Sequence, residues 1–228
     1  MPSEFVEERL RRRGWLRTAH RGAPRYAPDN SAESIRIAAG FPVDLVEIDV
    51  HLSRDGRLVL WHDETIRAGG KAHAIGALTL AQLRALPDQG TLATLEEAIE
   101  LVRGKAGLMV DLKAAGLELP LMDCFERLNF FDVCVCGGYK ATLAHLRDRL
   151  PQVSVSLTPE PLERIDFARW DAVTVHWRMV GPKFVEQAHR HGTRVLAWTV
   201  DEPEVARRLL ELGADGVTSN DVDMLCGL

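Results

Sequence analysis

Short runs of β-branched and other apolar residues alternate along this chain with longer segments in which apolar positions recur every three or four residues. Runs of the first kind predict buried strands, and segments of the second kind predict amphipathic helices. The predicted strands are Leu16–His20, Leu45–Val50, Leu108–Leu112, Asp132–Cys136, Val153–Leu157, Ala172–His176, Val195–Val200 and Gly216–Ser219. The helices predicted between them are Asn30–Ala39, Leu95–Val102, Leu117–Leu128, Tyr139–Leu150, Pro182–His191 and Glu204–Leu212.

Two further features complete the pattern of predicted elements. A short helix with an N-cap at Ser3 and a stop at Gly14 precedes the first strand. The connection between Leu157 and Ala172 is the least helical, because Pro159 and Pro161 interrupt it.

Strands that alternate with helices are parallel strands joined by right-handed crossovers. Eight predicted strands in a chain of 228 residues fit a TIM (β/α)8 barrel. An open doubly wound sheet would normally carry a glycine-rich first turn, and this sequence has none. We therefore predict an α/β fold, a TIM (β/α)8 barrel, formed as a single domain over residues 1–228.

One segment departs from the alternation directly after the second predicted strand. The sequence from position 51 reads HLSRDGRLVLWHDE, and its Asp55–Gly56 pair is typical of a β-hairpin turn. Pairing about this turn would place His62 opposite Asp49 and Glu64 opposite Glu47. The predicted β-hairpin extension would thus return His62 to the strand end where the two acidic residues share one face. An ordinary exposed hairpin carrying surface charges is the alternative.

Composition and charge narrow the class of protein. A hydrophobic fraction of 46% and a charged fraction of 27% are typical of a soluble globular domain. The formal net charge of −5 argues against a nucleic-acid-binding face. The longest uncharged stretch, 72–83, is too short for a membrane span, which takes about 20 residues. Four cysteines without a CxxC pair and an N-terminus without a secretory signal lead us to expect reduced thiols in a cytoplasmic protein.

Acidic and basic residues gather at the carboxyl ends of the predicted strands, which form the catalytic face of a TIM barrel. Glu47, Asp49 and Asp111 would repel one another if they were buried together, so they would need a cation. Ligands that are all oxygen favour Mg²⁺ or Ca²⁺ over zinc. Arg21 follows the first predicted strand and Lys113 the third, so both belong to the same strand ends, and their charges are suited to holding a phosphate group.

Two histidines and a tryptophan belong to the same strand ends. His20 ends the first strand and His62 follows the hairpin, and two imidazoles near neutral pH can act as base and acid. Trp198 ends the seventh predicted strand, where a large aromatic side chain is often part of the barrel packing. His51 shares the face of the two acidic residues of its strand if no bulge intervenes. A cation site, phosphate-binding side chains and two histidines together indicate cleavage of a phosphate ester.

The stretch AHRGAPRYAPDNSAES…DLVEIDVHLSRDGRLVLWHDETI closely resembles the glycerophosphodiester phosphodiesterase family. That family's pattern is an HRG motif, a PEN-type motif, an ExD pair, a DG turn and an HD pair. The resemblance continues through TLEE at 94–97, DLK at 111–113, WTV at 198–200 and LGADG at 212–216. It implies a TIM barrel that hydrolyses glycerophosphodiesters, a small-molecule substrate class, to an alcohol and glycerol 3-phosphate with a divalent cation.

Carried over motif by motif, the resemblance also implies roles for individual residues. The implied residues are catalytic His20 and His62, metal-binding Glu47, Asp49 and Asp111, and substrate-binding Arg21, Lys113 and Trp198. One histidine would deprotonate the neighbouring hydroxyl of the glycerol as it attacks phosphorus, while the other protonates the departing alcohol. Water would then open the resulting cyclic phosphate with the roles exchanged. The sequence does not decide which histidine has which role.

Three positions depart from the family's pattern. The acid of the PEN-type motif is Asp29, the third metal ligand is Asp111 where glutamate is more common, and Asn220 stands where an acidic residue is usual. The segment between His62 and Thr94 is also too short for the lid domain that some relatives insert there, which predicts an open mouth.

Two alternative functions remain open from the sequence. A lysophospholipase-D-like activity on single-chain lipids would use the same residues, and apolar side chains on the loops around Trp198 would favour it. A non-catalytic protein that binds phosphodiesters is the second alternative, and only the departures at Asp29 and Asn220 favour it. The leaving alcohol, the choice of cation and the oligomeric state are not indicated.

Overall fold

Eight parallel strands close into a barrel in the computed structural model, which describes residues 4–87, 92–160 and 164–228. In chain order the strands are β1 (Leu16–Ala19), β2 (Leu45–Leu52), β3 (Leu58–Leu60), β4 (Thr65–Ala68), β5 (Lys71–Ala74), β6 (Gly107–Leu112), β7 (Val133–Gly137), β8 (Ser154–Leu157), β9 (Ala172–His176), β10 (Arg194–Trp198) and β11 (Gly216–Ser219). The barrel runs β1, β2, β6, β7, β8, β9, β10 and β11, and it closes because β1 pairs with both β2 and β11. This is the predicted TIM barrel.

Helices surround the barrel in the order that the sequence pattern predicts. They are α1 (Glu4–Arg13), α2 (Ala32–Ala38), α3 (Leu80–Arg84), α4 (Leu95–Val102), α5 (Glu118–Leu128), α6 (Lys140–Arg149), α7 (Pro182–Arg190), α8 (Pro203–Glu211) and α9 (Val222–Gly227). The predicted strands and helices are all present, with small shifts at their ends. The sequence pattern did not predict α3, α9 or the hairpin β4–β5. None of the helices in the described ranges has the length and apolar character needed to cross a membrane.

Strand β2 illustrates how the barrel separates its two faces. Leu45 lies inside the barrel, whereas Val46 and Ile48 pack between the barrel and the helices. Glu47 and Asp49 continue the inward-facing row toward the carboxyl end, where they line a cavity. Burying carboxylates is costly unless something compensates their charge. The interior of this strand therefore changes from apolar at its start to acidic at its end.

Helix α1 closes the opposite end of the barrel. Its Val6 and Leu10 join an apolar cluster of side chains from the barrel strands, among them Leu16 and Leu45 at the strand starts. Arg9 lies 3.4 Å from the buried carboxylate of Asp44, which ties the helix to the segment before β2. The cap predicted at Ser3 and the interruption predicted at Pro161 lie outside the described residues. The described part of the link between β8 and β9 forms only a short 3₁₀ turn, Phe167–Arg169.

The predicted hairpin is present, but the predicted pairing is wrong by one residue. His62 does not lie opposite Asp49, nor Glu64 opposite Glu47, because the ladder pairs Val50 with Leu60, His51 with Val59 and Leu52 with Leu58. Trp61 takes the place predicted for His62, and its N–H donates to the carbonyl oxygen of Asp49 at 3.1 Å.

The length of the turn explains this shift. The Ser53 N–H donates to the carbonyl oxygen of Arg57 at 2.9 Å, so the loop has three residues, 54–56, rather than two. Gly56 adopts a φ of +76°, which suits the last position of a three-residue hairpin loop. The Asp55–Gly56 pair thus marks the turn correctly but not its register.

The short segment after His62 folds beside this hairpin. It contains β4, β5 and α3, and its apolar residues form a small separate core that includes Val59, Ile66 and Leu83. The four cysteines are free thiols as predicted, and Cys124, Cys134 and Cys136 are buried.

Candidate active site

A cavity of about 220 Å³ opens at the carboxyl ends of the barrel strands. All eight predicted site residues line it: His20, Arg21, Glu47, Asp49, His62, Asp111, Lys113 and Trp198. The rest of its wall consists of Met109, Cys136, Thr158, Thr174 and Thr218. A wider groove of about 830 Å³ lies between α2 and α4 and holds none of the eight predicted residues. The predicted carboxylates, basic side chains and histidines converge on the smaller cavity, so we take it as the candidate active site.

Three carboxylates stand together on one wall of this cavity. Glu47 and Asp49 project from β2, and Asp111 projects from β6 directly beside Asp49 in the ladder. One oxygen from each carboxylate lies within 4.8 Å of the others. Burial and the neighbouring Asp49 raise the pKa of Glu47 well above its ordinary value, and burial raises the pKa of Asp111. A cation at this point would relieve both effects.

Asp49 is already held by positive and neutral donors. The Lys113 ammonium lies 2.9 Å from Oδ1, and the Arg21 guanidinium lies 3.0 Å from Oδ2. The side chain of Asn30 donates to Oδ2 at 2.8 Å and accepts from the Asp49 N–H at 3.0 Å. Burial opposes ionisation of Asp49, but Lys113 and Arg21 outweigh it and hold the pKa of Asp49 low.

Lys113 joins two of the carboxylates. Its ammonium lies 2.6 Å from Asp111 as well as 2.9 Å from Asp49. Although burial favours the neutral amine, these two carboxylates raise the pKa of Lys113. The side chain is therefore a fixed positive charge at the centre of the site.

The turn after β1 explains why an arginine and a glycine follow His20. Arg21 adopts a φ of +52°, and its N–H points at Glu47, donating to Oε2 at 2.9 Å. Gly22 has a φ of +88°, and a Cβ there would lie 2.7 Å from the backbone carbon of Ser34. Only glycine fits so close to α2. Asp29, the departure in the PEN-type motif, lies 3.2 Å from the Arg21 guanidinium.

A hydrogen-bond chain fixes the orientation of His20. The Asn220 side-chain N–H donates to Asp201 Oδ2 at 2.8 Å, so the amide oxygen of Asn220 faces His20. That oxygen is 2.7 Å from His20 Nδ1, which must therefore carry the proton. His20 Nε2 is left with its lone pair, 3.9 Å from Glu47 Oε2. Burial lowers the pKa of His20, which keeps the imidazole neutral near pH 7.

Asp201 is a site residue that the sequence analysis missed. It lies three residues after Trp198, and its Oδ1 also accepts from the backbone N–H of Asn220 at 2.8 Å. Its position just beyond the carboxyl end of β10 was the sequence feature that could have identified it as a site residue. Its partner is 19 residues away in the sequence, and barrel closure brings the two together.

His62 occupies a more exposed place at the mouth. Its side chain is 47% exposed, and Nδ1 lies 2.8 Å from the carboxylate of Asp63. His51 lies in an unbroken stretch of the β2–β3 ladder, and its Nε2 is 3.3 Å from the backbone carbonyl oxygen of His62.

Trp198 faces the cavity and is fixed from behind. Its indole N–H donates to the carbonyl oxygen of Thr174 at 3.3 Å, and the ring of His176 packs edge-on against it at 5.5 Å. The tryptophan therefore packs against the barrel and lines the cavity at the same time.

The buried carboxyl group of Glu47 leads to a testable prediction about the thermal stability of the protein. Since the folded protein raises the pKa of Glu47, the unfolded chain ionises this group more readily. The ion-free protein is therefore expected to lose stability as the pH rises above about 4.3, the usual value for a free glutamate. We expect Glu47→Gln to raise the melting temperature at pH 7 in EDTA, with the exposed Glu126→Gln as control. A melting temperature below that of the wild type in EDTA would contradict this account.

Residues 20–122 and 139–224 match the model of the glycerophosphoryl diester phosphodiesterase family. A glycerophosphodiester phosphodiesterase of Caldanaerobacter subterraneus is 27% identical over 92% of this chain and 96% of its own length. The "Probable glycerophosphodiester phosphodiesterase 1" of Mycobacterium tuberculosis is 42% identical over 82% of each chain.

Solved structures share the same architecture. An Oleispira antarctica phosphodiesterase, solved in complex with the product sn-glycerol-3-phosphate, superposes with a TM-score of 0.82 at 24% identity. The alignment covers 93% of this chain and 95% of that one. This likeness supports the barrel fold.

Proposed function

Because the chain belongs to the glycerophosphoryl diester phosphodiesterase family, we propose that it hydrolyses glycerophosphodiesters to an alcohol and glycerol 3-phosphate with the help of a divalent cation. One observation carries this proposal: three carboxylates, two basic side chains and two histidines line one cavity. The product bound to the Oleispira antarctica phosphodiesterase is the product that this reaction would release.

Glu47, Asp49 and Asp111 are the residues that would hold Mg²⁺ or Ca²⁺. Their all-oxygen chemistry and close spacing fit such an ion, and burial raises the pKa of both Glu47 and Asp111, a cost that a bound cation would offset. When bound, the ion supplies positive charge to a phosphate oxygen and makes a neighbouring hydroxyl more acidic.

Arg21 and Lys113 are placed to bind the phosphate of the substrate. Both charges already lie against Asp49, so they approach the phosphate from the same side as the carboxylate cluster. Each can stabilise the additional negative charge that builds up on the equatorial oxygens during phosphoryl transfer.

His20 is the base in the first step. Its neutral imidazole has Nδ1–H bound to Asn220, so the free Nε2 accepts the proton of the glycerol hydroxyl next to the phosphate. The oxygen of that hydroxyl forms a bond to phosphorus while the bond from phosphorus to the leaving alcohol breaks. The phosphate becomes a five-membered cyclic ester with glycerol.

His62 is the acid in the same step. Its Nδ1 lies 2.8 Å from the Asp63 carboxylate, and the other nitrogen gives its proton to the departing alcohol oxygen. In the second step His62 takes a proton from water, the water oxygen bonds to phosphorus, and His20 returns its proton to the glycerol oxygen that leaves. Both histidines are then back in their starting states.

One observation favours a second candidate function, cleavage of single-chain lysolipids. The turn after β9, Trp177–Met179, lies next to β10 and its Trp198, and Met179 is one of the exposed large apolar residues. An acyl chain could contact this apolar loop while its headgroup occupies the cavity. Asp29 and Asn220, the two departures that favoured the non-catalytic alternative, contact Arg21 and His20 directly, so they give that alternative no separate support.

Product analysis distinguishes these functions. The purified protein is incubated with glycerophosphocholine, glycerophosphoethanolamine or lysophosphatidylcholine, and the phosphorus-containing products are identified by ³¹P NMR. We expect glycerol 3-phosphate from the two water-soluble diesters. Lysophosphatidate alone, with release that rises above the micelle threshold of the lipid, would favour the lysolipid function instead.

The hydrogen bonds that link His20 through Asn220 to Asp201 lead to a prediction about kcat. Asp201→Asn removes the carboxylate that orients the Asn220 amide, so His20 loses its fixed tautomer. We expect kcat to fall roughly 10- to 100-fold with little change in KM, as for other small misplacements of a catalytic group. Asp223→Asn is the matched control, because that carboxylate binds Tyr26 away from the cavity at 2.6 Å. Equal kcat values for the two variants would contradict the proposed role of Asp201.

The state of the cysteines supports a reducing compartment such as the cytoplasm. All four thiols are free, and burial raises the pKa of Cys134 to about 12, which makes that thiol unreactive.

A further inference from the structure

His62 lies on a part of the chain that has little regular structure to hold it. Strand β3 ends at Leu60, and the next strand begins only at Thr65. The described side-chain partner of the His62 ring, Asp63, belongs to the same irregular segment. In contrast, His20 continues a barrel ladder, since its N–H donates to the carbonyl oxygen of Ser219 at 2.9 Å.

The buried side chain of His51, on barrel strand β2, contacts the backbone of this irregular segment. His51 is only 5% exposed and projects from β2, on the same side as Glu47 and Asp49. Its Nε2 lies 3.3 Å from the carbonyl oxygen of His62. A carbonyl oxygen only accepts hydrogen bonds, so Nε2 of His51 must be the protonated nitrogen and the donor.

We propose that His51 is a positioning residue, which holds the acid His62 at the mouth of the cavity through the backbone of the segment 61–64. The proposal rests on the proposed function, in which His62 donates its proton to the leaving alcohol. It explains why a histidine stands at a buried position of β2 whose outward-facing neighbours are apolar.

The neighbouring residue Trp61 is held by its own hydrogen bonds, which are distinct from the bond between His51 and the carbonyl of His62. The N–H of Trp61 is bound to the carbonyl of Asp49 at 3.1 Å, and its indole N–H is bound to the carbonyl of Thr65 at 3.2 Å. Both contacts fix the tryptophan before His62. After His62, the carbonyl oxygen of Glu64 accepts from the Ile75 N–H at 3.1 Å. Between these two anchors, the bond from His51 acts on His62 itself, so we expect its loss to loosen the peptide that carries the acid.

Three variants test this role. His51→Leu fills the space without a donor, and His51→Gln keeps a donor N–H at about the reach of Nε2. His73→Leu is the matched control, because His73 Nε2 makes the same kind of contact with the carbonyl oxygen of Ala68, also at 3.3 Å, in the outlying β4–β5 hairpin. For each protein we would measure kcat and KM on glycerophosphocholine, the melting temperature, and the NMR signals of the His62 ring and the Asp63 amide without substrate.

We expect His51→Leu to lower kcat roughly 10- to 100-fold with KM nearly unchanged, and His51→Gln to recover most of the loss. The His62 and Asp63 signals should move in His51→Leu and return in His51→Gln, while His73→Leu leaves both signals and kcat as in the wild type. Signals and kcat in His51→Leu that match those of His73→Leu would overturn the proposal.

The NMR measurement separates this proposal from the proposed function. A wild-type protein that cleaves none of the diesters would contradict the proposed function. The signals of His62 and Asp63 in the three variants would still decide whether His51 holds that segment in place.

Discussion

Replacing His20 by alanine is expected to lower kcat on glycerophosphocholine by about 10²- to 10⁴-fold, the usual contribution of a general base. Of the two histidines proposed to be catalytic, His20 is the one whose geometry suits it to accept a proton. Its Nδ1–H is bound to Asn220, its pKa is lowered by burial, and its Nε2 faces the carboxylate cluster. Without this group, the attacking hydroxyl has no acceptor for its proton.

The measurement is steady-state kinetics with the exposed His145→Ala as control. The melting temperature of His20→Ala is recorded with it, since the ring is mostly buried and its loss leaves a small cavity. A folded His20→Ala protein with near-wild-type kcat would show that His20 is not the base, while the control should be unaffected.

Replacing Asp111 by asparagine is expected to have a similarly large effect through a different route. The substitution removes one of the three charges that would hold the cation and one of the two carboxylates that hold Lys113. Because such a cation contributes several kcal/mol to the transition state, we expect a loss of about 10²- to 10⁴-fold in kcat. The concentration of Mg²⁺ or Ca²⁺ required for half-maximal activity should rise as well.

Two further variants make this prediction specific. Asp111→Glu keeps the negative charge at this position, so it should retain most of the activity. Asp123→Asn, an exposed carboxylate on α5, should change neither the rate nor the dependence on the cation. An Asp111→Asn protein with the same cation dependence as the wild type would remove Asp111 from the metal site.

Much of the barrel could be predicted because its strands are buried on both faces. Strands such as Leu45–Leu52 are therefore buried along almost their whole length, and the acidic residues in them stand out. The alternation of side chains along a strand places Glu47 and Asp49 on one face from the sequence alone. The helices α3 and α9 were missed because, at five and six residues, they offer too few positions for a helical period to show.

The details of the site that escaped prediction depend on distances the sequence does not contain. The dipeptide Asp55–Gly56 is compatible with a two-residue or a three-residue turn, and only the ladder decides between them. The pairing of Asp201 with Asn220 requires neighbouring strand ends to meet across a closed barrel. The two-residue spacing of Asp111 and Lys113 does not reveal that Lys113 also contacts Asp49, which lies on the neighbouring strand β2.

The central claim is that a divalent cation held by the carboxylates and a pair of histidines cleave glycerophosphodiesters in this cavity. The most direct test is release of glycerol 3-phosphate from glycerophosphocholine by the wild-type protein, measured with EDTA and again after excess Mg²⁺ or Ca²⁺ is restored. We predict no release in EDTA and full release with at least one of the two ions. A folded protein that binds the ion and still releases no glycerol 3-phosphate, or one that is equally active in EDTA, would contradict the claim.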